Sequence, residues 1–289
     1  HMYYNFLKSH NIYLEEVIQW FFQQYLKEEF NISNFIFSIP SKLSTYREKC
    51  RDILAEFEYM LQQYKCYIEY GFINHEMLEL SSNGIKFNQL PSVMRNKYVY
   101  PKESLDNIFY LLFSNQSGLG YLGENKKSKD TFYELMNKEA VNYNEFENYQ
   151  QTSLDYLCEN KYIVIDRNGK LEWYNPNRII ILKKLYDHGV IVYNRLSSNL
   201  KKELMEMKTN DFIEFESTLL TRQEQDLLDY YLNNSKFQNG PQIRNKYSHG
   251  REGNRDENIN YNNYLTIIRL VIAVIIKIND DLCLNARNN

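Results

Sequence analysis

The sequence predicts a mainly α protein carrying one small α+β segment. Three observations lead there. Gly and Pro are scarce, 10 and 5 in 289 residues, too few for a many-turned β architecture. Apolar residues recur at three- and four-residue spacing through long stretches of the chain. Two β-rich runs, Tyr162 to Ile165 and Leu171 to Tyr174, flank Asp166-Arg167-Asn168-Gly169-Lys170, and Asn-Gly between such runs is a hairpin signal because both residues tolerate positive φ.

Each element follows from local pattern. Phe6, Tyr13, Val17, Trp20, Phe21 and Tyr25 predict one amphipathic helix over residues 3–30, ended at Asn31-Ile32-Ser33-Asn34. Pro40 marks a turn. Ser41 and Ser44 are candidate caps for a second helix through Tyr46, Ile53, Phe57, Met60, Leu61 and Tyr64. Residues 71–100 are irregular, and Pro101 opens a helix bearing Leu105, Ile108, Phe109, Leu112 and Phe113. Gly118-Leu119-Gly120-Tyr121-Leu122-Gly123 has the letters of a dinucleotide fingerprint, but a charged run follows it instead of an apolar helix. It reads as a loop between domains. Helices over Thr131 to Met136 and Tyr143 to Glu159, followed by the hairpin, have the order of a winged helix. Arg167 and Lys170 would sit at the wing tip, whereas Glu145, Glu147, Asp155 and Glu159 would repel a DNA phosphate. A spacer or protein-contact role fits that segment better. Pro176 restarts helix, and Asp187-His188-Gly189 reads as its ordinary stop. One further helix carries Leu196, Leu200, Leu204 and Met207, and the next carries Phe215, Leu219, Leu220, Leu227, Leu228 and Tyr231. Pro241 launches a short helix. The last helix runs from about Asn260 to Leu284, with Tyr261, Leu265, Ile268, Ile272, Ile275 and Leu282 on one stripe and Ile267, Leu270, Val274 and Ile278 on another.

Composition narrows the function classes. A 43% hydrophobic and 25% charged chain is a folded protein and not a disordered one. With a formal net charge of −3, nucleic-acid binding would need a local basic patch. The four cysteines lack Cys-x-x-Cys spacing and read as reduced thiols of a cytoplasmic protein. His1-Met2 reads as a cloning remnant, and no signal peptide follows. The apolar run Leu270 to Ile276 is too short to span a bilayer, so no membrane partner is expected. No Asp, Glu or His cluster has metal-ligand spacing, so no metal or other cofactor is expected. Arg95-Asn96-Lys97-Tyr98 repeats the letters of Arg244-Asn245-Lys246-Tyr247, a coincidence expected in a chain this rich in Asn, Lys and Tyr.

The chemistry concentrates at Ile243-Arg244-Asn245-Lys246-Tyr247-Ser248-His249-Gly250. An arginine suits a phosphate, a histidine moves a proton and an asparagine fixes geometry. Between Lys236 and Asp256, five basic residues face two acids, an excess of three in a chain negative overall. A plain structural alternative exists: a helix end, or an arginine and a histidine paired with carboxylates inside the bundle.

The pattern Arg-Asn-x-x-x-His-Gly before a long apolar helix resembles the signature of the HEPN superfamily, helical bundles that include metal-independent ribonucleases of toxin–antitoxin and phage-defence systems. The resemblance covers about the last third of the chain. Local pattern gives an N-terminal helical region over 3–117 and a winged-helix-like segment over 130–176, and the resemblance implies a HEPN-like bundle over 177–289. It implies an RNA endonuclease with Arg244, Asn245 and His249 as catalytic residues and Lys246, Tyr247, Arg251 and Arg255 as RNA contacts. Tyr247 reads equally as a core residue. The attacking group would be the ribose 2′-OH and the product a 2′,3′-cyclic phosphate. Expected partners are RNA, a second copy through the C-terminal bundle, and an antitoxin or defence-complex protein. The alternatives are a non-catalytic helical interaction module and a winged-helix DNA-binding regulator.

Overall fold

In chain order, the computed structural model has helices α1 (Met2–Ser9), α2 (Leu14–Trp20), α3 (Leu26–Phe30), α4 (Tyr46–Tyr70) and α5 (His75–Leu80), then strand β1 (Tyr98–Pro101). Next come α6 (Asp106–Phe113), α7 (Phe132–Lys138), α8 (Asn148–Glu159), β2 (Ile163–Ile165), β3 (Leu171–Trp173), α9 (Pro176–His188), β4 (Ile191–Val192), α10 (Ser198–Thr209) and β5 (Ile213–Glu216). Helices α11 (Arg222–Leu232), α12 (Ile243–Ser248) and α13 (Glu257–Asn288) complete the chain. The structure describes residues 2–288 except 81–83, 85, 124–126, 235 and 249–255. With 63% helix and 7% strand, the expected mainly α class holds.

The chain folds into two compact units: residues 1–95 with 217–289, and residues 96–216. The expected division into 3–117, 130–176 and 177–289 is therefore replaced by an insertion. Local pattern assigned the first helices and the last to different domains, but they share one core.

Unit 1 is a helical bundle built on α4 and α13. On α4 the buried positions Ile53, Leu54, Phe57, Met60, Leu61 and Tyr64 follow the three-to-four-residue repeat. On α13, Tyr264, Leu265, Ile267, Ile268, Val271, Val274, Ile278 and Leu282 are buried in the same cluster, while Ile276 is 61% exposed. Thr45, not Ser41 or Ser44, caps α4: its Oγ1 accepts from the Glu48 N–H at 3.3 Å, and Glu48 Oε2 accepts the Thr45 N–H at 2.8 Å. The single helix expected over 3–30 breaks at residues 10–13, where Asn11 adopts φ 57°, and one turn of π-helix, Phe21–Tyr25, separates α2 from α3. Buried Gln63 fastens the following extended segment to α4, accepting from Ile36 N at 2.7 Å and donating to Ile36 O at 2.8 Å. Fully buried Asp281 accepts from Tyr64 Oη at 2.9 Å, Ser92 Oγ at 2.6 Å and Val93 N at 2.8 Å, which fixes the chain just before it leaves the unit.

Unit 2 contains the same small motif twice, at a spacing of 50 residues that sequence reading missed. Helix α7 ends at Lys138 and α9 at His188. Single 3₁₀ turns follow at Tyr143–Glu145 and Tyr193–Arg195, then α8 and α10, each twelve residues long. Lys161 and Asp211 next adopt φ 57° and 61°, and β2 and β5 begin at Ile163 and Ile213. Tyr143 and Tyr193, Asn144 and Asn194, Leu154 and Leu204, and Asn160 and Asn210 are identical pairs.

The first copy closes with the hairpin β2–β3, as Asn168-Gly169 predicts, with Gly169 at φ 82°. In the second copy β1 takes the place of β3. Ile165 pairs with Leu171 and Phe215 with Val99; Ile163 pairs with Trp173 and Ile213 with Pro101. Tyr143 N donates to Gly169 O at 2.8 Å, and Tyr193 N donates to Lys97 O at 2.9 Å. The three-stranded sheet β4-β1-β5 is thus the second copy's wing, completed from earlier in the chain.

This arrangement corrects three expectations. Residues 98–101 are strand, so Pro101 ends an element and α6 begins only at Asp106. Phe215 lies on β5, not on a helix with Leu227. The Gly118 to Gly123 segment is not an inter-domain linker but part of unit 2, where Leu119 and Leu122 are buried and Gln150 Nε2 donates to Gly118 O and Tyr121 O at 2.8 Å each. Gly120 is required by close approach: a Cβ there would lie 2.4 Å from Lys129 O.

Candidate functional site

Helix α12 is short, and its orientation is set by two apolar side chains one turn apart. Ile243 is 1% and Tyr247 8% exposed, and both enter the unit 1 core. That rotation puts Arg244 and Asn245 at half-buried positions and leaves Lys246 exposed. Pro241 does not occupy the first helical turn; Gln242, at φ 51°, intervenes before the helix starts at Ile243.

Arg244 is held by a carboxylate that sequence reading did not single out. Its Nη2 lies 2.7 Å from Glu58 Oε1 and 2.8 Å from Glu58 Oε2 on α4. The two side chains are 35% and 31% exposed, so the pair is neither sealed nor freely solvated. Gly84 packs over it: a Cβ there would be 2.9 Å from Glu58 Oε1 and 3.0 Å from Arg244 Nη2. Among the described residues only Nη2 is engaged, which leaves donors on Nε and Nη1.

Beside the pair lies a cleft of about 500 Å³ whose wall includes Lys86, Asp226, Asp229, Lys236, Arg244 and Asn245. Lys236 Nζ pairs with Asp226, and Asn233 Nδ2 donates to Asp229 Oδ1 at 2.7 Å. Among the described residues of the 236–256 stretch, the two cations that reach the cleft, Lys236 and Arg244, each face a carboxylate. Among the described residues, Lys86, Lys236 and Arg244 are balanced by Glu58, Asp226 and Asp229.

Tyr247 is a core residue. Its hydroxyl donates to Asn260 Oδ1 at 2.7 Å and accepts from Asn263 Nδ2 at 2.9 Å. Burial pushes its phenol up to about 12 and pushes the neighbouring Cys50 thiol up to about 12. His249, Arg251 and Arg255 lie outside the described residues. The structure therefore brings Arg244 and Asn245 to one cleft, turns Tyr247 away from it and leaves Lys246 on the surface.

Glu58 had no distinguishing signal in the sequence, since a glutamate on a long amphipathic helix is ordinarily a solvated face. Among the described residues, no group of three or more His, Cys, Asp or Glu side chains is placed to hold a metal ion, and no helix is long and apolar enough to cross a membrane. No protein-family model, no curated protein and no solved structure matches this chain.

Proposed function

We propose that unit 1 is a HEPN-like, metal-independent RNA endonuclease acting in toxin–antitoxin or phage-defence systems. The observation that carries this reading is the position of Arg244 and Asn245 together on the wall of one cleft, with the guanidinium oriented through Nη2 by Glu58. The remaining guanidinium donors suit a phosphate oxygen, and electrostatic stabilisation by a preoriented donor is a strong catalytic device. On this reading Arg244 holds the scissile phosphate and Asn245 orients it. His249 moves the proton. The 2′-oxygen bonds to phosphorus, the 5′-oxygen leaves with a proton, and a 2′,3′-cyclic phosphate remains. A second copy joined through the bundle, a neutralising partner protein and a cytoplasmic setting belong to the same proposal.

The test is cleavage of structured RNA in EDTA by the wild-type chain and by Arg244→Ala and His249→Ala. Cleavage by the wild type alone, with 2′-deoxy substrate resistant, supports the reading. RNA left intact by the wild type, or cut equally by all three, removes it.

A second reading has its own observation. The Arg244–Glu58 pair and the charge-balanced cleft are what a non-catalytic helical interaction module would show. Under that reading Arg244 is a bundle strut, and the wild type leaves RNA intact. The DNA-binding alternative has less support. Asp155 and Glu159 are exposed on α8, where a winged helix would present cations to phosphate.

A further inference from the structure

Away from the Arg244 cleft, unit 1 holds a second cavity of about 240 Å³, lined in part by Tyr4, Tyr13, Glu15, Tyr46 and Tyr264. A cavity of that size takes a small metabolite. Its deepest wall is Tyr264, 1% exposed on α13. Glu15, in the first turn of α2, accepts on one carboxylate oxygen from both Tyr4 Oη at 2.9 Å and Tyr264 Oη at 2.6 Å. Its other oxygen, Oε2, is buried and receives no hydrogen bond. Both phenols are raised well above their ordinary value, by burial first and by the Glu15 charge second, so they stay protonated and spend their hydrogens on Glu15.

The floor of the cavity is therefore made of acceptors. Each hydroxyl has already donated, and Oε2 has nothing to accept from. Glu15 itself lines the cavity. A buried carboxylate oxygen in this condition calls for a donor, and a positively charged one gains further from the tyrosine faces. The cavity already shows that affinity: Lys42 Nζ sits 4.1 Å from the Tyr13 ring centroid and Lys49 Nζ 5.3 Å from that of Tyr46.

The rim has the opposite sign. Lys8, Lys42 and Lys49 all line it. Lys42 is committed to Glu16, 3.0 Å away. Lys8 and Lys49 have no carboxylate partner among the described residues. A simple cation would meet two lysines on its way in, and a simple anion would meet the Glu15 carboxylate at the floor. A molecule with an ammonium at one end and an anionic group at the other satisfies both.

We propose that this cavity binds a small zwitterion, with its ammonium on Glu15 and the Tyr4 and Tyr264 hydroxyls and its carboxylate or phosphate at Lys8 and Lys49. The site is independent of the nuclease reading. The test is calorimetric titration of the full chain with each free proteinogenic amino acid and with phosphoethanolamine, which separates carboxylate from phosphate at the rim. Any binder is then compared with its N-acetylated form, with the amine lacking the anionic group, and with AMP. At least one zwitterion should bind, and both truncated forms should bind at least about tenfold more weakly. Lys8→Ala/Lys49→Ala should cost a similar factor with no change in the urea midpoint. Glu15→Gln should abolish binding; because it contacts two partly or fully buried tyrosines, the lysine pair at the rim, exposed Lys8 and half-buried Lys49, is the deciding variant should Glu15→Gln fail to fold. The proposal fails if no zwitterion in the panel binds, if the acetylated form or the bare amine binds as tightly, if AMP binds better, or if the lysine variant is indistinguishable from wild type.

Discussion

Arg244 Nη2 lies 2.7 and 2.8 Å from the two carboxylate oxygens of Glu58, 186 positions earlier in the chain, and so ties α12 to α4. Both side chains are about one-third exposed, at 35% and 31%, so water screens the pair and its worth stays below about 1 kcal/mol. Arg244→Ala is expected to lower stability by no more than that in urea unfolding. A larger drop would mean the pair is a structural strut, and loss of RNA cleavage in that variant could then be blamed on unfolding.

The buried hydroxyl of Tyr247 has two amide partners. Tyr247→Phe removes the bond to Asn260 Oδ1 at 2.7 Å and the bond from half-buried Asn263 Nδ2 at 2.9 Å. A cost of about 0.5–1.5 kcal/mol per lost hydrogen bond follows. Binding to RNA should be unchanged, measured on folded protein by filter retention. A specific loss of RNA affinity with wild-type stability would return Tyr247 to the interface.

Alkaline pH should unfold unit 1 earlier than ordinary phenol and thiol values suggest. Burial, its first cause, raises Tyr247 from 10.0 to about 12 and Cys50 from 9.0 to about 12. Between the unfolded and folded values the folded chain holds protons that the unfolded chain has released, so stability falls as pH rises. The contribution is complete below about pH 9 and is lost progressively up to about pH 12. Urea midpoints measured from about pH 8 to about pH 11 should decline, and less steeply in Tyr247→Phe. A flat profile would contradict this.

The equivalence of the two motif copies can be tested at their left-handed residues. Lys161 and Asp211 stand at φ 57° and 61°, each just before its strand, where an L side chain is strained. Lys161→Gly and Asp211→Gly should each stabilise by about 0.5–1 kcal/mol, the relieved strain outweighing glycine's greater freedom in the unfolded chain. Opposite signs at the two sites in thermal unfolding would show that the copies bear different loads.

Much of this fold can be read locally. The Asn168-Gly169 hairpin, the break at Asn31, the stop at Gly189 and the two-stripe α13 all follow from signals within a few residues. What escapes is whatever depends on distant partners. Strand β1 is only four residues long, and its partners Ile191 and Phe215 lie roughly a hundred residues onward, so nothing near Tyr98 announces a sheet. The fifty-residue repeat survives mainly as shape. Positions such as Gln150 and Leu200 share a place in the motif but not a chemistry, since Gln150 spends its amide on the Gly118 loop. At the candidate site the sequence pointed to Arg244 and Asn245. The carboxylates that neutralise the cleft come from α4 and α11, and no window along the motif contains Glu58, Asp226 or Asp229.

The second wing has no turn of its own. Where the first copy spends Arg167 to Gly169 reversing direction, the second does without: the chain enters the wing just before Tyr98 and leaves it after Glu216, which are paired neighbours across two antiparallel strands. Entry and exit are therefore separated by a single strand spacing, about 5 Å. Unit 2 is thus spliced into the chain of unit 1 through this pair of strands, and a linker of a few residues joining Arg95 to Ser217 would give unit 1 a continuous chain, as unit 2 already has. Such a doorway lets one module be gained, lost or exchanged while the other keeps its core.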